Sequence, residues 1–410
     1  MAESQFIFVS HGSPDNELTR EVCQALETAV GDPSRVLVDF TDLKAGMPWP
    51  LYLIEWMVRC HGAVLLLTEH AIPRPWVLKE ATILTARHAL DPTFPLFVVQ
   101  FPDTAHLLER HGYGPLALDT IQGVKFSSAE ALASTVLNEL RQRPRSLTPF
   151  DEVVRRLQDL LANVGSNALG SVAAKLNVFP ERLQIASTDR DRWIEAIARH
   201  LACGQLGGYP GVHDLIDEFT ASDAELVRKI LRFVSPYWID PEAASRLPRL
   251  MRSHPRKAGA LNGADVVDFT ARLYVRRAHL PSLKFDVIPC GGGVHDKYVD
   301  HVTSEICDFL RAGKRASAAR TNDEIVAQLK GQRAEWYAVL PPPMPDSEAL
   351  SQLLDRFPTI TFLLWTGEVL APNGDLTRVE WLTPSVDVER EAKERADFDS
   401  AEAIIERMVS

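Results

Sequence analysis

Phe6-Ile7-Phe8-Val9-Ser10-His11 and Cys60-His61-Gly62-Ala63-Val64-Leu65-Leu66-Leu67-Thr68 decide the fold of the first third of this chain. Each holds an unbroken apolar run of strand length that closes on polar residues. A strand with one wet face alternates apolar and polar residues. A continuous run is buried on both faces, as in a parallel sheet covered by helices. Around these two runs the pattern switches repeatedly between strand and helix. Leu18, Val22, Leu26 and Val30 form one helical stripe, with Ser13 or Asp15 as the candidate N-cap before it. Arg35–Asp39 reads as a second strand and Leu51–Cys60 as a short helix; Pro95–Gln100 and Val124–Phe126 supply the fourth and fifth strands. Ala129–Arg141 closes the unit as a helix. Strands alternating with helices specify a doubly wound, parallel, five-stranded α/β sheet, whose ligands sit at the carboxyl ends of the strands.

Several occupants of this flavodoxin-like architecture are excluded by their own motifs. No GxxxxGK[ST] phosphate loop occurs anywhere, and Ser10-His11-Gly12-Ser13 stands where a dinucleotide fold needs GxGxxG. A phosphoacceptor receiver needs acids after the first and third strands, where Ser10, His11 and Thr68 are found.

Pro75-Trp76-Val77-Leu78-Lys79-Glu80 carries the chemistry. Pro75 suits the first turn of a helix, where a missing N–H costs nothing. Trp76 and Glu80 are then one turn apart on one helix face. An indole beside a carboxylate can hold a flat cationic ligand and present an acid to it. The same spacing also serves a core aromatic next to a solvated first-turn acid.

Residues 5–141 resemble the TIR (Toll/interleukin receptor) domain family, in its bacterial NADase form. The resemblance rests on Phe6–His11 ending the first strand and on Asp39-Phe40-Thr41-Asp42-Leu43-Lys44-Ala45-Gly46 with Trp49 beyond it, which is similar to the BB loop. Cys60–Thr68 as the third strand and Trp76–Glu80 as a WxxxE element complete it. The prolines at 48, 50, 73 and 75 depart from the family by stiffening the BB loop and the start of the third helix. The resemblance implies Glu80 as the catalytic carboxylate of NAD cleavage, Trp76 as a wall of the pocket, and Ser10, His11 and Gly12 at the nicotinamide end. It implies NAD as substrate, no resident cofactor, no metal, and homo-oligomers built through TIR–TIR contacts at Asp42, Gly46 and Trp49. Alternatives within the family are a non-catalytic scaffold that binds other TIR domains and a cyclase that makes a cyclic ADP-ribose messenger. Asp39 and Asp42 are also read as caps of the loop.

The 410 residues carry a net charge of -11, which argues against a dedicated nucleic-acid binder. No membrane span and no leader are expected, and five scattered cysteines without a CxxC pair point to a reducing, cytoplasmic setting. After a TIR domain over 1–141, a linker is expected at 142–149 and a helical module at 150–205. A mixed helical and α/β regulatory region at 206–315 and an α/β region at 316–410 follow. Arg249, Arg252, Arg256, Lys257, Arg276 and Arg277 form a basic run, and Cys290-Gly291-Gly292-Gly293 precedes a helix. A nucleotide or protein trigger acting on this C-terminal part, in bacterial defence or signalling, is the expected control.

Overall fold

In the computed structural model the described residues are 6–31, 36–39, 49–102, 104–121, 123–142, 147–176, 178, 190–202, 224–250, 255–263, 269–280, 285–291, 297–313, 320–329, 335–367 and 378–409, and the chain divides into two compact units, Met1–Val153 and Val154–Ser410.

The first unit runs β1 (Ile7–Ser10), α1 (Asn16–Val30), β2 (Val36–Leu37), α2 (Trp49–Arg59), β3 (Gly62–Leu67), α3 (Pro75–Leu90), β4 (Leu96–Gln100), α4 (Ala105–Arg110), β5 (Gly123–Lys125) and α5 (Ala129–Gln142). The strands form one parallel sheet in the order β2-β1-β3-β4-β5. Its two faces are covered separately, which is why the inner strands β1, β3 and β4 are apolar along most of their length. Ile7, Val9, Val64, Leu66 and Val99 pack against Val22, Leu26, Val136 and Leu140 of α1 and α5. Phe8, Ala63, Leu65, Leu67 and Val98 pack against Leu53 and Met57 of α2 and Val77, Ala81 and Leu84 of α3. The chain therefore leaves β1 toward one face and β3 toward the other. That reversal opens a crevice between the carboxyl ends of these neighbouring strands.

Arg87 fixes α3 to its surroundings. Its Nη1 donates to the Met57 carbonyl at 2.7 Å and to Cys60 Sγ at 3.3 Å, and its guanidinium lies 3.8 Å from the Phe94 ring centroid. Asp15 stands at the N-cap of α1 but makes no capping hydrogen bond. Its carboxylate accepts instead from Thr68 Oγ1 at 2.5 Å, which draws the β3–α3 loop against the start of α1.

The second unit begins with α6 (Pro149–Leu161, which straddles the boundary), α7 (Ser166–Lys175) and α8 (Arg190–Ala202). It continues through α9 (Ala224–Val234), α10 (Pro241–Ser245), α11 (Leu247–Leu250), β6 (Ala258–Leu261), α12 (Phe269–His279), β7 (Phe285–Pro289), α13 (Tyr298–Ala312), α14 (Asn322–Leu329), β8 (Glu335–Leu340), α15 (Ser347–Arg356), β9 (Ile360–Trp365), β10 (Val379–Trp381) and α16 (Val388–Val409). These strands make a second parallel sheet, ordered β10-β6-β9-β8-β7. It joins strands on both sides of the boundary expected at 315/316. Ala258-Gly259-Ala260-Leu261, assigned to no element from the sequence, is an inner strand between β10 and β9. Its small residues answer a spatial demand: a Cβ on Gly259 would lie 2.9 Å from Leu250 Cδ1 and 3.3 Å from Leu363 Cδ2. Asn262, just past β6, clamps Val386 at two points, accepting from its N–H at 2.9 Å and donating to its carbonyl at 3.1 Å.

A Cβ on Gly263 would stand 2.3 Å from two carbons of the Trp365 ring. Gly263→Ala must displace that ring and is expected to cost about 1–3 kcal/mol. The readout is a lower urea midpoint with an unchanged slope. Gly114→Ala, where an added Cβ meets nothing within 4 Å, serves as the control and leaves the midpoint in place.

Candidate functional site at the carboxyl edge of the first sheet

Pro75 opens α3 at its first turn, as its fixed φ and missing N–H favour, and this sets the phase of the residues that follow. Trp76 and Glu80 then share one face. Trp76 Nε1 donates to Glu80 Oε1 at 2.8 Å, so the indole is half-buried with its polar edge on the acid. The other oxygen, Oε2, accepts from Ser10 Oγ at 2.5 Å, across from the last residue of β1. Glu80 is only 4 % exposed. Burial, with the negative charge of nearby Asp39, pushes its carboxyl up to about 8, against the two hydrogen bonds, which pull the other way. An acid with a raised pKa in a crevice at a topological switch point is the arrangement expected of a working group.

The walls are built from the neighbouring loops. His11 is buried, its Nε2 3.1 Å from Asn16 Oδ1 and 3.5 Å from Asp39 Oδ1. Gly12 has an ordinary extended backbone, so its role is spatial. A Cβ there would meet the Ala71 backbone, 2.8 Å from Cα and 3.0 Å from N. Thr68 Oγ1 accepts from the Ala71 N–H at 3.0 Å while donating to Asp15. Tyr113 enters from a more distant loop. It is 2 % exposed, its hydroxyl has no hydrogen-bond partner among the described residues, and burial together with the Glu80 charge pushes its pKa up.

Ser10, Trp76 and Glu80 thus meet through direct hydrogen bonds, and His11 and Gly12 follow Ser10 around the rim. Asp42 and Gly46 lie outside the described residues. Trp49 begins α2, and its side chain lies outside them too. Asp39 Oδ1 faces His11, and the 40–48 loop that Asp39 was also read as capping lies outside the described residues. Tyr113 left no signal in the sequence, because nothing in the Gly112–Gly114 turn announces that it approaches α3.

Among the described residues no group of three or more His, Cys, Asp and Glu side chains is placed to hold a metal ion, and no helix is long and apolar enough to cross a membrane. Residues 7–137 match the family model of the TIR domain. Comparison with curated proteins gives no match.

The raised acid has a consequence for stability. Its folded pKa of about 8 exceeds the ordinary 4.5, so between those values the folded chain holds a proton that the unfolded chain releases. The stabilisation is complete below about 4.5 and is lost as the pH rises through about 8. Glu80→Gln, neutral at every pH, is therefore expected to melt above the wild type at pH 9 and by a much smaller margin at pH 5. Each kcal/mol recovered corresponds to about 2–4 °C. An equal margin at both values would remove ionisation from the account.

Proposed function

We propose that the TIR domain at residues 7–137 cleaves NAD at its nicotinamide–ribose bond, with Glu80 as the catalytic carboxylate. The observation that carries this reading is the desolvated Glu80 carboxyl, held by Ser10 and Trp76 in the crevice between β1 and β3. Departure of nicotinamide passes through an oxocarbenium-like state, and a fixed negative charge in a dry site stabilises that charge far better than water does. With no cation beside it, burial keeps Glu80 largely protonated near pH 7. A cationic nicotinamide ring entering beside it favours the ionised form, since an opposite charge within a few ångströms lowers an acid's pKa. Substrate thereby creates the charge that acts on it. Ser10 and Trp76 keep that charge in place by donating to both oxygens.

The second unit controls this activity on the same reading, and TIR–TIR contacts through the 40–50 loop assemble the active species. A protein that scaffolds other TIR domains without chemistry has no use for a buried, doubly bonded acid. This is what favours the enzymatic reading over that one. NAD is the substrate and no resident cofactor is needed, because the bond that breaks is made labile by the positive ring it carries.

Nicotinamide release from NAD by the full chain tests the proposal. Glu80→Ala and Glu80→Gln are each expected to lower kcat by about 10²–10³ while the fold persists; undiminished release from either removes Glu80 from the mechanism. In the wild type kcat/KM, which reports the free enzyme, is expected to climb with pH through about 8, whereas the corresponding rise in kcat lies at lower pH because the bound cation has already ionised the acid. Assembly is checked separately: release per protomer should increase with protein concentration, and a constant value over the range where light scattering reports larger species counts against it.

A further inference from the structure

A second carboxylate stands at the same edge of the sheet. In the parallel pairing of β1 with β2, Phe8 lies opposite Leu37. Two residues further along each strand the chain reaches Ser10, which holds Glu80, and Asp39. The two acids are close enough for the charge of Asp39 to act on Glu80. Their circumstances differ. Both oxygens of Glu80 are occupied, by Trp76 Nε1 and Ser10 Oγ, and its side chain is sealed. Asp39 keeps Oδ1 buried with no hydrogen bond, 3.5 Å from His11 Nε2, yet its side chain is 41 % exposed, so Oδ2 is the oxygen that meets solvent. His11 Nε2 also lies 3.1 Å from Asn16 Oδ1. An amide oxygen only accepts, so a hydrogen on that ring nitrogen is directed to Asn16, and Asp39 Oδ1 faces the same ring edge without a hydrogen bond from it.

Hydrolysis of a glycosidic bond needs two distinct services: one group to stabilise the sugar cation and another to take a proton from the attacking water. Glu80, with both oxygens engaged, suits the first service and is badly placed for the second. Asp39 has the opposite profile. We propose that Asp39, beside His11, is the general base that activates water in this site, and that it decides between hydrolysis and transfer of the ADP-ribosyl group to other acceptors. The inference rests on the NAD-cleaving reading of Glu80. In the step itself the ribose C1′–N bond breaks and its electron pair stays on nicotinamide, which leaves neutral. The water oxygen bonds to C1′, and the proton it loses passes to Asp39 Oδ2 and then to solvent. Nothing is oxidised or reduced. An acceptor that has a lone pair but no proton to lose, such as a pyridine nitrogen, needs no base and bypasses Asp39.

The partition between these two fates is the test. The full-length protein is incubated with NAD and a substituted pyridine, and ADP-ribose and the pyridine-exchanged dinucleotide are separated by chromatography. Asp39→Asn is expected to lower ADP-ribose formation by about 10²-fold, the ordinary worth of a general base, while exchange persists. Exchange serves as the internal control for folding and NAD binding. If Asp39→Asn melts below the assay temperature, Asp39→Ser takes its place with the same expectation. Equal losses of hydrolysis and exchange would make Asp39 a structural or binding residue, and an unchanged ratio would leave it no role in water activation; either result overturns the inference and leaves Glu80 untouched. A wild type that forms neither product overturns the NAD-cleaving reading itself, and the role of Asp39 falls with it.

Discussion

A carboxyl group withdrawn from water and held by a hydroxyl and an indole N–H is the constraint around which the first unit is arranged. Left unpaired, such a group would be costly to bury. Two donors approaching from different elements make it tolerable, and each must arrive at a fixed place. Ser10 is delivered by the β1–β3 register, Trp76 by the phase that Pro75 imposes on α3. Arg87, two turns beyond Glu80 on the same helix, grips the end of α2 and holds that phase against sliding. The positions of strand, helix and loop are thus coupled at one pair of oxygen atoms.

The supporting shell explains why small or polar residues recur at the rim. Gly12 is small because Ala71 passes over it, and Ala71 is held there by Thr68, which is itself engaged by Asp15. Hydrogen bonds and close backbone approach replace hydrophobic bulk at a place where bulk would fill the cleft.

How much of this was legible in the sequence depends on the distance over which each residue's meaning is set. The unbroken runs of β1 and β3 and the Trp76/Glu80 spacing are local patterns, and each led directly to a strand or a helix face. The meeting of Ser10 with Glu80 lies 70 residues apart in the chain, and only the resemblance to a TIR domain pointed to it. Asp15 was visible, but local rules assign an acid at the start of a helix to capping, whereas its carboxylate accepts from Thr68 on a distant loop. In the second unit β6 was missed because strand propensity rests on β-branched and aromatic side chains. Ala258–Leu261 has neither, since the surrounding leucines leave room only for small residues. The βαβ segment of β8, α15 and β9, where Trp, Tyr, Val and Phe mark the strands, was readable for the converse reason.

The proton on Glu80 also bears on which form of a dinucleotide the cleft would favour. Oxidised and reduced nicotinamides are nearly the same size, so shape alone separates them poorly. Their charges differ by one unit. A pocket whose acid ionises when a positive ring arrives gains an ion pair with the oxidised form, while the neutral, reduced ring meets only an uncharged acid and a short hydrogen-bonded wall. Selection by redox state would then come from a single titrating group, with no residue devoted to recognising the ring's hydrogens.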